Sequence, residues 1–468
     1  MIIKISNHSN YLAKVVKLND PIPHLNADKL EGFVIDGNTV WYSKGLLNKD
    51  DIVIYFPIEC QINKNILRVL NLYNDKTLNE DPTASGYFNH QARVKAVKLR
   101  GEPSEGFIMQ FGELLNALDK LGVSTDFEYT TRFANELIDA EFDTINDCII
   151  CQKYVPVVRN SGANPERVKN QQRLDHIIVP GQFRFHRDTP KLLPKTLESI
   201  NPNHLVNISL KLHGTSAIFA NLLVNKKLSF FEKIKKFFGL RVNTVEYKRM
   251  YSSRSVIKFI EDHYRTPIQG YYDSDVWKVT YDKIKNYLSP AMTIYGEIVG
   301  YTPTGSYIQK GYDYGCEHGK SAFYIYRITT TSDGGVPIEW SSQEIDEFVW
   351  RVSLHENVNN LMKGLNSDII DIARVPILNE NCTLLELYQN KLNNKRAKKI
   401  KADELFMALK KEYLEGDSVM CKNKIPEEGI VLTVDRGQSF KLKSFRFLEG
   451  ESKALDSDDQ SENLEIDG

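Results

Sequence analysis

The chain has 468 residues, of which 41% are hydrophobic and 26% charged, and its formal net charge is −1. These values predict a soluble globular protein of two or three domains. They exclude a membrane-spanning protein, because no stretch is both long and apolar enough to cross a bilayer. Residues 1–20 lack the apolar core of a signal peptide. The chain has six cysteines and one close pair, Cys148 and Cys151, so we expect thiols in the reducing cytoplasm.

Short strand-like runs with turn residues between them begin the chain. They lie at residues 11–18, 30–35, 40–43, 52–56, 94–99 and 106–109. Five or six closely spaced strands predict a small β-barrel over residues 1–115. Oligonucleotide binding is one of several uses of that shape.

Residues 116–180 mix helix-like apolar spacing with a Pro- and Asn-containing stretch at 159–165. They predict a linker with helical elements. Residues 183–189 then alternate aromatic and basic side chains. This stretch could face nucleic acid or form a strand with a solvated edge, and we prefer the second interpretation.

Residues 228–239 predict a basic amphipathic helix that ends at Gly239. We expect its phenylalanine stripe to pack against the protein rather than a membrane. Residues 341–415 are largely helical by pattern. The basic run at 391–401 predicts a solvated face, and the alternative is a face that lies along a duplex backbone. Residues 451–468 carry a net charge of −6, which leaves +5 on the rest of the chain. They predict a disordered acidic tail.

The sequence Lys-Leu-His-Gly-Thr-Ser at residues 211–216 lies between two apolar runs. The pattern predicts a strand, a turn and a second strand, with Lys211 at the turn. A lysine amine is a nucleophile only when neutral, and at the usual pKa of about 10.4 its deprotonation at pH 7 costs roughly 4.6 kcal/mol. Burial or neighbouring cations lower that cost, and Arg254, Lys441 and Lys443 could supply the cations. The alternative is a surface lysine at a hairpin.

Five further short stretches follow residues 211–216. They are Tyr-Ser-Ser-Arg at 251–254, Ile-Tyr-Gly-Glu at 294–297, Phe-Tyr-Ile-Tyr at 323–326, Glu-Glu-Gly-Ile-Val at 427–431 and Lys-Leu-Lys-Ser at 441–444. In this order, the series resembles the nucleotidyltransferase motifs of the covalent lysyl-AMP ligases. The first motif resembles that of an RNA ligase. Those relatives carry an acidic residue and an arginine where this chain has His213 and Ser216.

The N-terminal region carries a second resemblance. Residues 23–31, 98–101 and 105–106 look like parts of the OB domain that precedes the catalytic domain in Deinococcus-type nick-sealing RNA ligases. The two resemblances imply an α+β fold. An OB-like β-barrel would be followed by a two-sheet antiparallel nucleotidyltransferase domain with helical insertions, over residues 181–450.

The resemblance also implies roles for individual residues. Lys211 matches the nucleophile, Glu297 the carboxylate on the ribose hydroxyls, and Phe323 the aromatic ring that stacks on adenine. Glu428 matches the acidic residue near the divalent metal, Mg²⁺ or Mn²⁺. The implied contacts with ATP or AMP are made by Lys211, Leu212, Gly214, Ser216, Arg254, Glu297, Phe323, Lys441 and Lys443. The implied contacts with nucleic acid are made by His213, Ser216 and Arg254. Leu210 stands where several related RNA ligases carry glutamate. How this protein would recognise the edge of the adenine base is therefore left open.

We therefore predict an ATP-dependent RNA ligase that forms lysyl-AMP, transfers AMP to a 5′-phosphate and seals nicks with an RNA 3′-hydroxyl strand. The first alternative is a DNA ligase or capping nucleotidyltransferase of the same fold, which His213 and Ser216 disfavour. The second is a non-catalytic nucleic-acid-binding protein, which would be expected to lack Lys211 or Lys443. The expected partner is a nicked RNA or RNA/DNA duplex. We expect a monomer with no membrane partner.

Overall fold

A computed structural model describes residues 3–5, 11–125, 134–155, 174, 176–186, 188–265, 272, 274–362, 372–434 and 437–456. The stretch at 159–165 and most of the predicted acidic tail, 457–468, lie outside the described residues. The described part is an α+β protein with mostly antiparallel sheets.

The N-terminal region consists of short strands around two helices. Its strands are β1 (Ile3–Lys4), β2 (Ala13–Lys17), β3 (Ile22–Pro23), β4 (Leu30–Ile35), β5 (Asn38–Ser43), β6 (Ile52–Phe56), β7 (Cys60–Ile62), β8 (Ala96–Leu99), β9 (Glu102–Glu105), β10 (Phe107–Gln110), β11 (Glu141–Phe142), β12 (Thr144–Ile145), β13 (Cys148–Ile149) and β14 (Cys151–Lys153). Its helices are α1 (Lys64–Val69) and α2 (Phe111–Lys120), with 3₁₀ turns at Lys76–Leu78 and Ala134–Leu137.

These strands form separate small sheets. The sheets have the orders β10-β6-β2-β11, β3-β4-β5, β1-β12-β13, β14-β7 and β8-β9, and among the described strands none of them closes into a barrel. The turn from β4 to β5 has positive φ at both Asp36 and Gly37, as a tight hairpin requires. Most predicted strands are thus present, whereas their arrangement as an OB barrel remains a prediction.

The N-terminal region extends beyond the predicted boundary at residue 115. Strand β11 pairs with β2, and β14 pairs with β7. Phe142, Ile145 and Cys151 are buried in the same core as Ile54 and Phe56. Residues 141–153, which we predicted to lie in a linker, therefore belong structurally to the N-terminal region because they complete its sheets and core.

The remaining elements form two larger sheets with helices on their outer sides. Their strands are β15 (Leu205–Lys211), β16 (Thr215–Asn225), β17 (Val245–Ser252), β18 (Ile257–Ile260), β19 (Tyr264–Arg265), β20 (Met292–Gly300), β21 (Ser321–Thr331), β22 (Pro337–Glu339), β23 (Ile372–Arg374), β24 (Ile377–Thr383), β25 (Gly429–Val434) and β26 (Gln438–Lys443). Their helices are α3 (Pro194–Ser199), α4 (Phe230–Phe237), α5 (Val276–Ile284), α6 (Ser342–Met362), α7 (Leu384–Lys391), α8 (Ala402–Tyr413) and α9 (Phe445–Asp456), with a 3₁₀ turn at Lys285–Tyr287.

The larger sheet has the order β19-β18-β17-β16-β20-β21-β22, with β23 parallel to β21, and the smaller has the order β24-β15-β25-β26. One apolar core includes residues of the larger sheet, α5 and α6. Another includes residues of the smaller sheet, α3, α7 and α8. The two-sheet arrangement agrees with the prediction. Within the described residues, no helix has both the length and the apolar composition needed to cross a bilayer.

The chain passes from one sheet to the other between Lys211 and Thr215. Strand β15 pairs with β24 and β25, whereas β16 pairs with β17 and β20. A Cβ atom at Gly214 would lie 2.4 Å from the carbonyl oxygen of Ile298, so only glycine fits this close crossing. The predicted strand, turn and strand are present, but the two strands belong to different sheets. Lys211 consequently lies where the sheets meet.

Two other predictions differ from the structure. The phenylalanine side chains of α4 are exposed to solvent, so the expectation that they pack against the protein is wrong for the described residues. Helix α9 extends to Asp456, and the first six residues of the predicted disordered tail are therefore helical. That segment is ordered because Ser452 and Leu455 are buried and Glu451 pairs with Lys443.

Candidate active site

A cavity of about 380 Å³ lies where the two larger sheets meet the N-terminal region. Its walls include ten of the predicted site residues: Lys211, Leu212, His213, Gly214, Ser216, Arg254, Glu297, Glu428, Lys441 and Lys443. A volume of this size suits a small-molecule site. The fold therefore gathers residues that are more than 200 positions apart in the sequence.

The smaller sheet positions the lysines in cross-strand rows. Gly429 on β25 lies opposite Lys211 on one side and Lys443 on the other. Residues directly opposite each other on neighbouring strands project from the same face. Gly429 has no side chain to fill the space between them, and a Cβ there would lie 2.2 Å from the carbonyl oxygen of Leu442. The next row places Lys441 opposite Val431, on the same face.

Lys211 pairs with a buried carboxylate. Its Nζ lies 2.6 Å from Oε1 of Glu428, whose side chain is 3% exposed. Burial disfavours the charge of Glu428, but its basic neighbours, Lys211 foremost and also Lys443, together outweigh this effect and hold the pKa of Glu428 below its ordinary value. The pair thus brings an amine and a proton acceptor together at the crossing between the sheets.

His213 is held beside the same carboxylate. Its Nδ1 lies 4.0 Å from Oε2 of Glu428, and its ring packs edge-on against Tyr312 and Phe447 at centroid distances of 5.0 and 4.8 Å. Burial lowers the pKa of His213 to about 4, so the ring is neutral near pH 7. His213 therefore adds no charge to the site at neutral pH.

Asp188 forms ion pairs with three cations of the cavity. Its Oδ1 lies 2.6 Å from Nζ of Lys441 and 3.3 Å from Nη2 of Arg254, and its Oδ2 lies 3.8 Å from Nζ of Lys153. Burial disfavours the charge of Asp188, but the three cations, Lys441 foremost, together outweigh burial and lower the pKa of Asp188. The three cations consequently share one acidic partner.

Lys443 pairs with carboxylates from two other segments. Its Nζ lies 3.1 Å from Glu59, which follows β6 in the N-terminal region, and 3.2 Å from Glu451 on α9. Burial opposes the charge on Lys443, but these carboxylates outweigh it and raise the pKa of Lys443. Glu59 also accepts a hydrogen bond from the Tyr11 hydroxyl at 3.3 Å. The N-terminal region therefore contributes directly to the walls of the cavity.

The opposite wall comes from the larger sheet. Glu297 on β20 lies opposite Ser216 on β16, and the indole of Trp277 donates a 3.0 Å hydrogen bond to the carbonyl oxygen of Ser216. Leu210 and Leu212 are buried in an apolar cluster at the cavity edge. The cavity thus has one wall of lysines paired with carboxylates and one wall of mixed polarity.

Phe323 does not line the cavity. It is 1% exposed and packs edge-on against Phe219 with a centroid distance of 5.0 Å, in the core of the larger sheet. Successive residues of a strand face opposite sides. Phe323 and Ile325 face the core, whereas Tyr326 lines the cavity. Phe323, predicted to stack on adenine, therefore faces the core in this structure, and Tyr326 is the aromatic residue of β21 that lines the cavity.

Several cavity residues were not predicted. Asp188 and His186 lie in the stretch that we interpreted as a strand with a solvated edge. His186 alternates with Phe183 and Phe185, whereas no local pattern singles out Asp188. Burial lowers the pKa of His186 to about 4. Glu59 and Tyr11 carry no motif in the sequence, because only the packing of the N-terminal region brings them to the cavity.

The donor set fits a divalent metal held mainly by phosphates. Oε2 of Glu428 is buried and has no hydrogen-bond partner among the described residues. Within those residues no three His, Cys, Asp or Glu side chains form a metal cage. Mg²⁺ is commonly bound by one or two carboxylates together with substrate phosphates and water, and Glu428 offers one such oxygen.

Comparison with known proteins yields structural matches alone. No family model and no curated protein matches the chain. A variant of Naegleria gruberi RNA ligase with ATP and manganese has a TM-score of 0.51 at 16% identity, covering 94% of this chain and 98% of that one. Another variant of that ligase, with AMP and manganese, has a TM-score of 0.50 at 15% identity, with the same coverage.

At this level of identity, the likeness establishes the fold. The chain shares the mixed α/β fold of these solved structures, and the match extends over nearly the full length of both proteins. The chain is thus similar to Naegleria gruberi RNA ligase in architecture.

Proposed function

We propose that this protein is an ATP-dependent RNA ligase. The observation that carries the proposal is the Lys211 amine, 2.6 Å from the buried carboxylate of Glu428, in a cavity that also contains Lys441, Lys443 and Arg254. An amine beside a proton acceptor and several cations is suited to attack on a phosphate. The structural matches, which hold AMP or ATP with manganese, support this choice of substrate and metal.

In the first step, Lys211 attacks the α-phosphate of ATP. A nitrogen–phosphorus bond forms, the bond to the leaving pyrophosphate breaks, and the proton of the amine passes to solvent. Lys441 and Lys443 stabilise the negative charge on the α-phosphate once phosphate oxygens replace Asp188 and Glu59 as their partners. An oxygen of the 5′-phosphate then attacks the AMP phosphorus, the nitrogen–phosphorus bond breaks, and Lys211 regains a proton. The 3′-hydroxyl finally attacks the 5′-phosphate, loses its proton to solvent and forms the phosphodiester as the bond to the leaving AMP breaks.

Other cavity residues would hold the rest of the nucleotide. Tyr326 provides the aromatic face for adenine, and Glu297 provides a carboxylate for the ribose hydroxyls. Glu428 would hold a divalent metal through water or directly, and the bound metal supplies charge neutralisation at the phosphates. His213, Ser216 and Arg254 are assigned to the end of the nucleic acid.

The proposed substrate is a nick whose 3′-hydroxyl strand ends in RNA. The resemblance in residues 211–216 and in the N-terminal region supports this assignment. A terminal ribonucleotide differs from DNA in its 2′-hydroxyl and A-form geometry, which gives a protein a means of distinguishing them.

Two assays test the proposal. The first incubates the protein with α-³²P-labelled ATP and Mg²⁺ or Mn²⁺ before denaturing electrophoresis, with GTP as a control. Label from ATP that stays on the protein is expected, and label from GTP alone would indicate a capping enzyme. The second assay compares four nicked duplexes with RNA or DNA on each side of the nick. Equal sealing with a DNA 3′-hydroxyl strand would refute the RNA-end requirement and favour a DNA ligase.

A further inference from the structure

Helix α4 and its flanks expose an apolar surface to solvent. We call residues 226–241 the α4 surface. Phe230, Phe231, Phe237 and Phe238 are 72%, 75%, 85% and 71% exposed, and no residue of the helix is buried. Their rings contact each other in two edge-on pairs. A cluster of four exposed phenylalanines is unusual on a soluble surface and marks an interaction site.

The sequence of α4 separates the apolar and basic side chains. At about 100° per residue, Phe230, Phe231, Ile234, Phe237 and Phe238 fall within an arc of about 120°. Lys233 and Lys235 flank this arc on its two sides, and Lys236 lies on the polar face. The helix is well formed, because Ser229 and Glu232 form a capping box at its start.

The α4 surface is also strongly basic. Residues 226–241 include six basic side chains and one acidic one. The single acid, Glu232, pairs with Lys226 at 2.5 Å. The surface therefore has an excess positive charge beside its apolar arc.

The α4 surface lies far from the cavity. Helix α4 connects the end of β16 to the start of β17, whereas Ser216 is near the start of β16 and Arg254 follows the end of β17. The nine residue-to-residue steps from Ser216 to Asn225 span about 30 Å in a strand. A partner could thus occupy the α4 surface while the cavity remains accessible.

We propose that the α4 surface binds reversibly to an anionic lipid bilayer. A short amphipathic helix with exposed phenylalanines and flanking lysines suits insertion at a membrane interface, where the rings reach the acyl boundary and the amines reach the headgroups. Protein interfaces favour arginine and are depleted in lysine, yet five of the six basic residues are lysines. A surface that binds single-stranded nucleic acid offers aromatic side chains on which the bases stack, whereas the aliphatic side chains of Ile234 and Leu240 offer no such ring. This inference is independent of the ligase assignment and concerns contact with one face of a bilayer.

The test is co-sedimentation of the full chain with lipid vesicles. Vesicles of phosphatidylcholine alone are compared with vesicles that also contain phosphatidylserine, at low and high salt. We expect at least tenfold stronger binding to the anionic vesicles and weaker binding at high salt. The double variant Phe230→Ser/Phe237→Ser should lose at least tenfold in binding, and Lys233→Gln/Lys235→Gln/Lys236→Gln should lose the preference for anionic lipid.

The matched control removes exposed apolar side chains elsewhere. Leu25 and Val419 are 81% and 83% exposed, and Leu25→Ser/Val419→Ser should bind vesicles like the unmodified protein. The proposal is overturned by equal binding to both vesicle types or by unchanged binding of the phenylalanine variant. It is also overturned if the unmodified protein does not bind vesicles and the phenylalanine variant binds a nicked duplex more weakly than the unmodified protein does. The α4 surface would then bind nucleic acid.

Discussion

Tyr326 and Phe323 provide a test of which aromatic ring contacts adenine in the proposed ATP site. The two rings lie on one strand and face opposite sides of it, Tyr326 toward the cavity and Phe323 toward the core. If adenine stacks on Tyr326, replacing that ring by leucine removes the stacking contact. Replacing Phe323 instead opens a gap in the core, beside Phe219.

The first substitution is expected to change ATP binding, and the second is expected to change folding stability. Loss of a base-stacking ring costs about 1–3 kcal/mol, which corresponds to roughly 5- to 140-fold weaker ATP binding. Phe323→Ala should cost about 3–5 kcal/mol of folding stability. We therefore expect Tyr326→Leu to raise the ATP concentration for half-maximal self-labelling. Phe323→Ala should lower the thermal unfolding midpoint instead.

The assay is ATP titration of self-adenylylation, together with thermal unfolding of each variant. Tyr326→Phe is the matched control, since it keeps the ring and should retain most of the affinity. Phe323→Leu keeps an apolar core residue and should leave the ATP dependence near that of the unmodified protein. A Phe323→Leu variant with weakened ATP binding, beside a Tyr326→Leu variant without it, would refute the assignment of the cavity-facing ring.

Three further predictions concern charged groups of the site. Lys211→Ala should abolish covalent labelling, whereas Lys395→Ala, at an exposed lysine, should label normally; AMP mapped to another lysine would contradict this. Glu428→Gln should slow labelling at least tenfold and weaken its dependence on Mg²⁺, which a metal titration measures; an unchanged titration curve would count against the metal role. Burial raises the pKa of Glu59, but Lys443 and Lys191 outweigh burial and lower this pKa to about 2. The charged Glu59 therefore stabilises the folded protein above pH about 4.5, and this stabilisation is lost as the pH falls toward 2. Unfolding free energies across that range should depend less on pH in Glu59→Gln, and an unaltered pH profile would refute this linkage.

Local patterns predicted the strands that present the lysines. Alternating apolar residues from Val206 to Leu210 predict β15, and the two-residue spacing of Lys441 and Lys443 places both on one face of β26. The same patterns do not reveal that β15 and β16 belong to different sheets, because a hairpin and a crossing between sheets share the sequence of strand, turn and strand. The close approach at Gly214 becomes visible only in three dimensions.

Strand β21 shows why the sequence does not reveal which of its aromatic rings lines the cavity. Both faces of β21 are covered, one by the core and one by the cavity, so alternation alone does not say which face carries the site. The very short strands between residues 141 and 153 are likewise too brief for a periodic signal. For α4, the pattern predicted the helix and its apolar face, but amphipathicity does not specify what covers that face.

The charges of the cavity show how its separate segments depend on one another. Asp188, Glu59 and Glu451 come from three parts of the chain, and each pairs with a lysine assigned to the α-phosphate of ATP. A buried lysine without an acidic partner is costly, so these carboxylates stabilise the lysines of the cavity. Under the proposed function, phosphate oxygens replace the carboxylates, and Glu59 loses its ion pair with Lys443. Because Glu59 belongs to the N-terminal region, nucleotide binding would then be coupled to the contact between that region and the two larger sheets.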